Sequence, residues 1–143
     1  MKSKTKNRSF RVVVAGIIIR DNSVLLLQRH KNEKVFPGLW ELPSGKREFG
    51  ESSVVALKRE IMEESGLSVT IGNPTSVFEY TIEKETELRD TTQINFLAYM
   101  EKPKQEPVLS EEHQLAKWFS KKEVELIQDI SEETRDVIFS VLK

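Results

Sequence analysis

Apolar residues run without a break from Val12 to Ile19, and the β-branched content of the run suits a buried strand. A second run, Val24 to Leu27, follows after Asp21-Asn22-Ser23, which has the composition of a hairpin turn. We therefore expect strands over 10–20 and 24–29, paired as neighbours. Residues 31–39 carry Lys, Asn, Glu, Pro37 and Gly38 and read as a loop, followed by a short extended piece at Trp40-Glu41-Leu42 and a turn at Pro43-Ser44-Gly45. From Glu51 to Ser65 there is neither Gly nor Pro. Val54, Leu57 and Ile61 recur there at helical spacing, and Gly66 offers a C-terminal cap, so a helix is expected. Alternating and β-branched or aromatic residues over 75–84 and 91–100 predict a second strand pair around the polar Glu83–Asp90 stretch. A short extended stretch near Ala116-Lys117-Trp118-Phe119 leads to Ser120 and Glu123, a capping-box pattern, and Ser131 precedes a last helix with Val137, Ile138, Val141 and Leu142. Strands before, between and after helices imply an α/β (α+β) fold with a mixed sheet covered on both faces.

Length and composition narrow the function classes. The 143 residues match a single domain over 1–143, and 38% apolar with 31% charged residues is the balance of a compact folded chain. Cysteine is absent, which excludes disulfides, thiolate metal sites and a cysteine nucleophile and makes the cytoplasm the simplest location. A net charge of −1 lacks the basic footprint of a protein that grips bulk nucleic acid. The basic start (Lys2, Lys4, Lys6, Arg8, Arg11) before an apolar run resembles a secretory leader, but Arg20-Asp21 follows at once with no small-residue cleavage pattern. The run is also far short of the roughly 20 residues that span a membrane, so a membrane partner is not expected.

The chemistry concentrates between Gly45 and Leu67. On a helix, Glu60, Glu63 and Glu64 share about a third of the circumference beside the Leu57 and Ile61 stripe. Like charges at these spacings repel by a few tenths of a kcal/mol per pair, roughly, so the cluster is either a solvated face or a cation site. Carboxylate and carbonyl oxygens suit Mg²⁺ or Mn²⁺, ions that usually share their shell with substrate phosphates. Arg59 can pair with Glu51 or a neighbouring acid and fix its rotamer.

The full pattern is Gly45, five residues, Glu51, seven residues, then Arg59-Glu60-Ile61-Met62-Glu63-Glu64-Ser65-Gly66-Leu67. It resembles the Nudix box at every fixed position. Leu25 to Arg29, Phe36 to Pro43 and Glu112-His113-Gln114 with Trp118 resemble the MutT-like branch, so the likeness covers roughly 11–120. One departure is Ser44-Gly45, where the family usually has two glycines; a Cβ at 44 makes φ > 0 harder to reach.

The resemblance implies an α/β/α sandwich that hydrolyses a nucleoside diphosphate linked to another group, with Mg²⁺ or Mn²⁺ as cofactor. It implies Glu60 and Glu64 as principal metal ligands, Glu63 as a further ligand directly or through water, a carbonyl from Gly45 or Ser44, and Glu112 as an acid from outside the box. Either Glu60 or Glu112 would activate water. Arg29, His30, Lys46 and Arg47 are candidate phosphate contacts. Phe36, Trp40, Phe78 and Phe96 are candidate base platforms, and Glu133, Arg135 and Asp136 candidate polar contacts to the base. The expected reaction converts a nucleoside triphosphate, oxidised or not, to monophosphate and pyrophosphate. The alternatives are an ADP-ribose, nucleotide-sugar or dinucleoside polyphosphate substrate, and a non-enzymatic nucleotide-binding module. Many relatives form a homodimer, and that option stays open here.

Overall fold

A computed structural model describes residues 5–143; Lys2 and Lys4 of the basic start lie outside them. Ten elements follow in order: β1 (Asn7–Arg20), β2 (Ser23–Arg29), β3 (Trp40–Glu41), β4 (Ser44–Lys46), α1 (Ser53–Ser65), β5 (Val69–Glu83), β6 (Glu87–Met100), β7 (His113–Ser120), α2 (Lys121–Leu126) and α3 (Glu132–Phe139). The mixed sheet runs β3-β2-β1-β6-β5, with β4 on β1 and β7 on β2.

The expected β1–β2 hairpin forms, but it is short. Only Ile19 opposite Val24 and Arg20 opposite Ser23 pair, while β1 spends its length beside parallel β6, from Asn7 opposite Glu87 to Ile18 opposite Ala98. Asp21 and Asn22 both take positive φ in the turn, the conformation these residues tolerate best. Both strands start earlier than the apolar pattern indicates: β5 at Val69, and β6 at Glu87 inside the polar 83–90 stretch, where backbone pairing (Glu83 opposite Leu88) carries the ribbon past its buried portion. Pro74 sits between two register shifts on this edge strand, where a missing N–H is tolerated. The expected turn at Pro43-Ser44-Gly45 is instead the start of β4, with Gly45 opposite Val14.

Strict alternation along β1 splits the interior in two. Val14 and Ile18 join Leu57, Ile61 and Phe96 beneath α1, whereas Ala15 and Ile17 join Leu26, Phe119, Val137 and Ile138 beneath α2 and α3. The sheet therefore lies between helices, the expected sandwich. Gly16 lets α1 approach, since a Cβ there would stand 2.8 Å from Ile61 Cδ1. α1 begins after Ser52, whose Oγ accepts from the Val55 N–H, and stops at Gly66 with φ +69°. Val54 is exposed rather than part of the apolar stripe. The capping box at Ser120 and Glu123 and the cap at Ser131 form as expected.

Candidate active site

Pairing of β4 with β1 brings Ser44 and Gly45 alongside the inward face of α1. Gly45 is the closest point: a Cβ there would lie 2.0 Å from Glu60 Cδ, so the Glu60 carboxylate rests on bare backbone. Ser44 is different. Neither Ser44 nor Gly45 has positive φ, so the Cβ at 44 imposes no strain, and the expected difficulty at that position does not arise. The Ser44 N–H donates to Glu64 Oε1 at 2.8 Å.

The three acids of α1 do not share one environment. Glu64 is only 6% exposed, and burial pushes its carboxyl well above the usual range; Glu41, Glu112 and Glu60 add repulsion, against the one favourable Ser44 N–H. Glu60 is also raised by burial, with Arg59 pulling the other way. Glu63 has a side chain 58% exposed and stays outside the cleft, in an ion pair with Arg59 at 3.2 Å.

Arg59 is the organiser of this segment. Its Nε and Nη2 each donate to one Glu51 oxygen at 2.8 Å, and its Nη1 donates to Glu60 at 2.9 Å. The Glu48 N–H also donates to Glu51 at 2.9 Å. These hydrogen bonds, Arg59 first, hold the Glu51 carboxyl down at about 2. One bidentate pair thus fixes the loop before α1 to the helix and orients Glu60.

Glu112 arrives from the loop before β7. Glu64, Glu112 and His113 each bring a ligand atom within 4.8 Å of the others. The His113 ring is fully buried, with Nε2 2.8 Å from Glu41 Oε2 and Nδ1 unpartnered. Donor chemistry fits a hard divalent cation: carboxylates from Glu60, Glu64 and Glu112 beside the backbone of Gly45, with clustered negative charge and a buried acid that only one N–H answers.

These acids lie in a cleft of about 1140 Å³. It is lined as well by Arg29, His30, Lys46, Phe36, Phe78 and Glu133 from the expected set. Arg29 also braces the 31–39 loop through Nε to the Val35 carbonyl at 2.9 Å. Arg47 does not line the cleft; it donates to the Glu51 carbonyl at 2.7 Å and so serves the loop. Arg135 and Asp136 also lie off the lining, because Arg135 turns back to Glu132 and the Ile127 carbonyl. Trp40 packs edge-on against Phe119 and Phe96 is buried beneath α1, so neither is a base platform.

Sequence reasoning passed over Glu41, which holds His113, and the floor residues Arg11, Tyr80, Arg89, Thr91 and Gln93. The floor had a readable trace: odd positions of β1 and β6 share the face of Ala15 and Ile17, and polar residues there point toward the cleft mouth.

A sheet sandwiched by helices, with an acid-bearing helix laid on a short β4, defines a class of fold in which one cleft joins an acid cluster to a sheet floor. The chain belongs to the Nudix family: the family model described as NUDIX domain matches residues 10–140. It is 31% identical over 131 residues to "Nucleoside triphosphatase NudI" of Enterobacter sp. (strain 638), covering 87% of this chain and 92% of that protein. Over 60 residues it is 48% identical to "CTP pyrophosphohydrolase" of Escherichia coli (strain K12), covering 42% of this chain and 44% of that protein. The chain spans about 40% of the length of the first such curated relatives. The crystal structure of MutT protein from Methanosarcina mazei Go1 superposes with a TM-score of 0.78 at 26% identity, covering 96% of this chain and 95% of that one. No helix among the described residues is long and apolar enough to cross a membrane.

Proposed function

We propose that this chain acts as one domain that hydrolyses a nucleoside triphosphate, oxidised bases included, to the monophosphate and pyrophosphate, with Mg²⁺ or Mn²⁺ as cofactor. The observation that carries the reading is that Glu64 and Glu112 bring ligand atoms within 4.8 Å of each other in the same nucleotide-sized cleft that Glu60 lines from its seat on Gly45. The similarity to a nucleoside triphosphatase along most of the chain supports the same substrate class.

Glu60, Glu64 and Glu112 would hold the metal, whose chemistry is to neutralise anhydride oxygens and acidify a bound water. Arg59 keeps Glu60 turned toward Gly45 and keeps Glu51 ionised. Glu41 and His113 brace the floor under Glu64 and fix the start of β7, and with it the loop that carries Glu112. Arg29, His30 and Lys46 stand along the lining as cationic or hydrogen-bonding partners for phosphate oxygens beyond the acid cluster. Glu112 is exposed and Glu60 is half-screened by Arg59, and either one can take the proton from the attacking water.

A panel of canonical and oxidised triphosphates, ADP-ribose and a dinucleoside polyphosphate, each with Mg²⁺, tests the proposal. Pyrophosphate release from a triphosphate is the expected result. Turnover of ADP-ribose or the dinucleotide alone would replace the substrate class, and nucleotide binding with no turnover of any compound would make the chain a binding module.

A further inference from the structure

Residues 101–112 join β6 to β7 and carry Glu112 at their end. Nothing fixes that acid directly: it is exposed, and among the described residues its carboxylate takes no hydrogen bond or ion pair. Its position is therefore inherited from the backbone on either side. The segment is stitched to the C-terminus of α1, where the last carbonyls have no partner inside the helix. The Val108 N–H donates to the Ser65 carbonyl at 2.8 Å, the Ser110 N–H to the Glu64 carbonyl at 3.3 Å, and Gln105 Nε2 to the Gly66 carbonyl at 2.8 Å. Glu64, whose side chain is the buried acid, is thus bonded through its own backbone to a point two residues before Glu112.

Arg20, the last residue of β1, grips the same segment. Its Nη1 donates to the Gln105 carbonyl at 3.3 Å and to Glu106 Oε1 at 3.2 Å, and its guanidinium lies over the Trp118 ring, 4.1 Å from the centroid. Gln105 precedes Glu112 by seven residues and Trp118 follows it by six, so one side chain touches both flanks of the acid. These contacts stand apart from the cleft, whose lining includes neither Arg20, Gln105 nor Trp118. Glu106 has a side chain 69% exposed, so water screens the ion pair and the grip falls on the carbonyl bond and the stacked indole. A planar guanidinium can make both at once; a lysine ammonium lacks the flat fork.

We propose that Arg20 is a positioning residue for Glu112: by holding Gln105 and Trp118 together it sets how far the Glu112 carboxylate stands from Glu64, and with it the affinity of the acid cluster for a divalent cation. The proposal rests on the metal-binding reading of Glu112 above. Loss of a residue that orients a metal ligand typically changes metal affinity or activity by about 10- to 100-fold.

The test is a double-mutant cycle between Arg20→Gln and Glu112→Gln, read as the Mn²⁺ Kd without nucleotide and as kcat and KM for a triphosphate, with thermal melts of every variant. Arg20→Gln should weaken Mn²⁺ binding and lower kcat by about tenfold each, with KM within about threefold of wild type. In the Glu112→Gln background the same change should cost less than about twofold, because a residue that acts through Glu112 has nothing left to position. Arg20→Lys should fall between wild type and Arg20→Gln. A lowered melting temperature with Kd and kcat unmoved, or an equal loss with and without Glu112, would overturn the proposal and leave Glu112 as a ligand. If Glu112→Gln itself left Mn²⁺ binding and turnover unchanged, the metal reading of Glu112 would fall and the proposal with it. A wild type that bound Mn²⁺ in this Arg20-dependent way yet turned over no triphosphate would sustain the positioning role while removing the hydrolase reading.

Discussion

The two ends of the cleft are built on opposite plans. At the acid end the charged groups of the turn and helix are tied to their neighbours: Glu51 to Arg59 and Glu48, Glu60 to Arg59, Glu64 to Ser44. At the sheet floor, Arg11, Arg89 Nε and Thr91 Oγ1 remain uncommitted. Apart from Glu112, the first end comes from one contiguous turn and helix, so its geometry is set locally. The second is assembled from β1, β5 and β6, which only strand pairing brings together. On the proposed function, chemistry belongs to the preorganised end.

The largest effect should come from the most buried acid. Glu64→Gln removes a charge that burial already disfavours, so the fold should survive and the metal-free variant should melt no lower than wild type. Turnover should still fall by roughly 10³-fold, the scale of losing a few kcal/mol of metal-assisted charge stabilisation. Pyrophosphate release and a thermal melt measure the two halves. Gly45→Ala follows. Its methyl group would occupy the space of the Glu60 carboxylate, and displacement of a positioned group by about 1 Å costs on the order of 10²-fold in rate.

A pH titration separates two acids of one segment whose shifts have opposite signs. Glu51 is held down at about 2 from an ordinary 4.5, so its contribution to stability is complete above 4.5 and is lost as pH falls toward 2. Glu64 is raised, so in the metal-free protein its ionisation destabilises the fold as pH rises above 4.5. Urea midpoints from pH 2 to 7 should show an acid-side decline between 4.5 and 2 that shrinks in Arg59→Gln, because Glu51 then titrates closer to its unfolded value. The smallest effect belongs outside the cleft: Arg135→Ala should leave turnover within about twofold and cost about 1–2 kcal/mol through its lost bonds to Glu132 and Ile127. A large loss of turnover there would redraw the cleft boundary.

The same contrast explains what could be read in advance. Gly45 to Leu67 is legible because helix geometry alone converts its spacing into a shared face, and the caps at Ser52, Ser120 and Ser131 follow from local chemistry. The division between Glu63 and Glu64 was not legible: both lie on the acidic face, and only the position of β4 buries one and leaves the other in solvent. Arg11 and Arg89 were invisible as a pair because 78 positions separate them, and parallel register alone brings them together. The polar 83–90 stretch was read as a connection for a related reason, since edge ribbons continue on backbone hydrogen bonds that hydrophobic patterning does not record. Arg47 and Arg135 illustrate the converse error, in which a cation near a site spends its donors on backbone carbonyls.

The central claim is that the acids around Gly45 hold a divalent cation at the point where a polyphosphate is cleaved. Titration of the protein with Mn²⁺, followed by electron paramagnetic resonance with and without a non-hydrolysable triphosphate analogue, addresses it most directly. Wild type should bind the ion, bind it more tightly with the analogue present, and lose that binding in Glu64→Gln. Undiminished binding in the variant, or an ion indifferent to the analogue, would contradict the account.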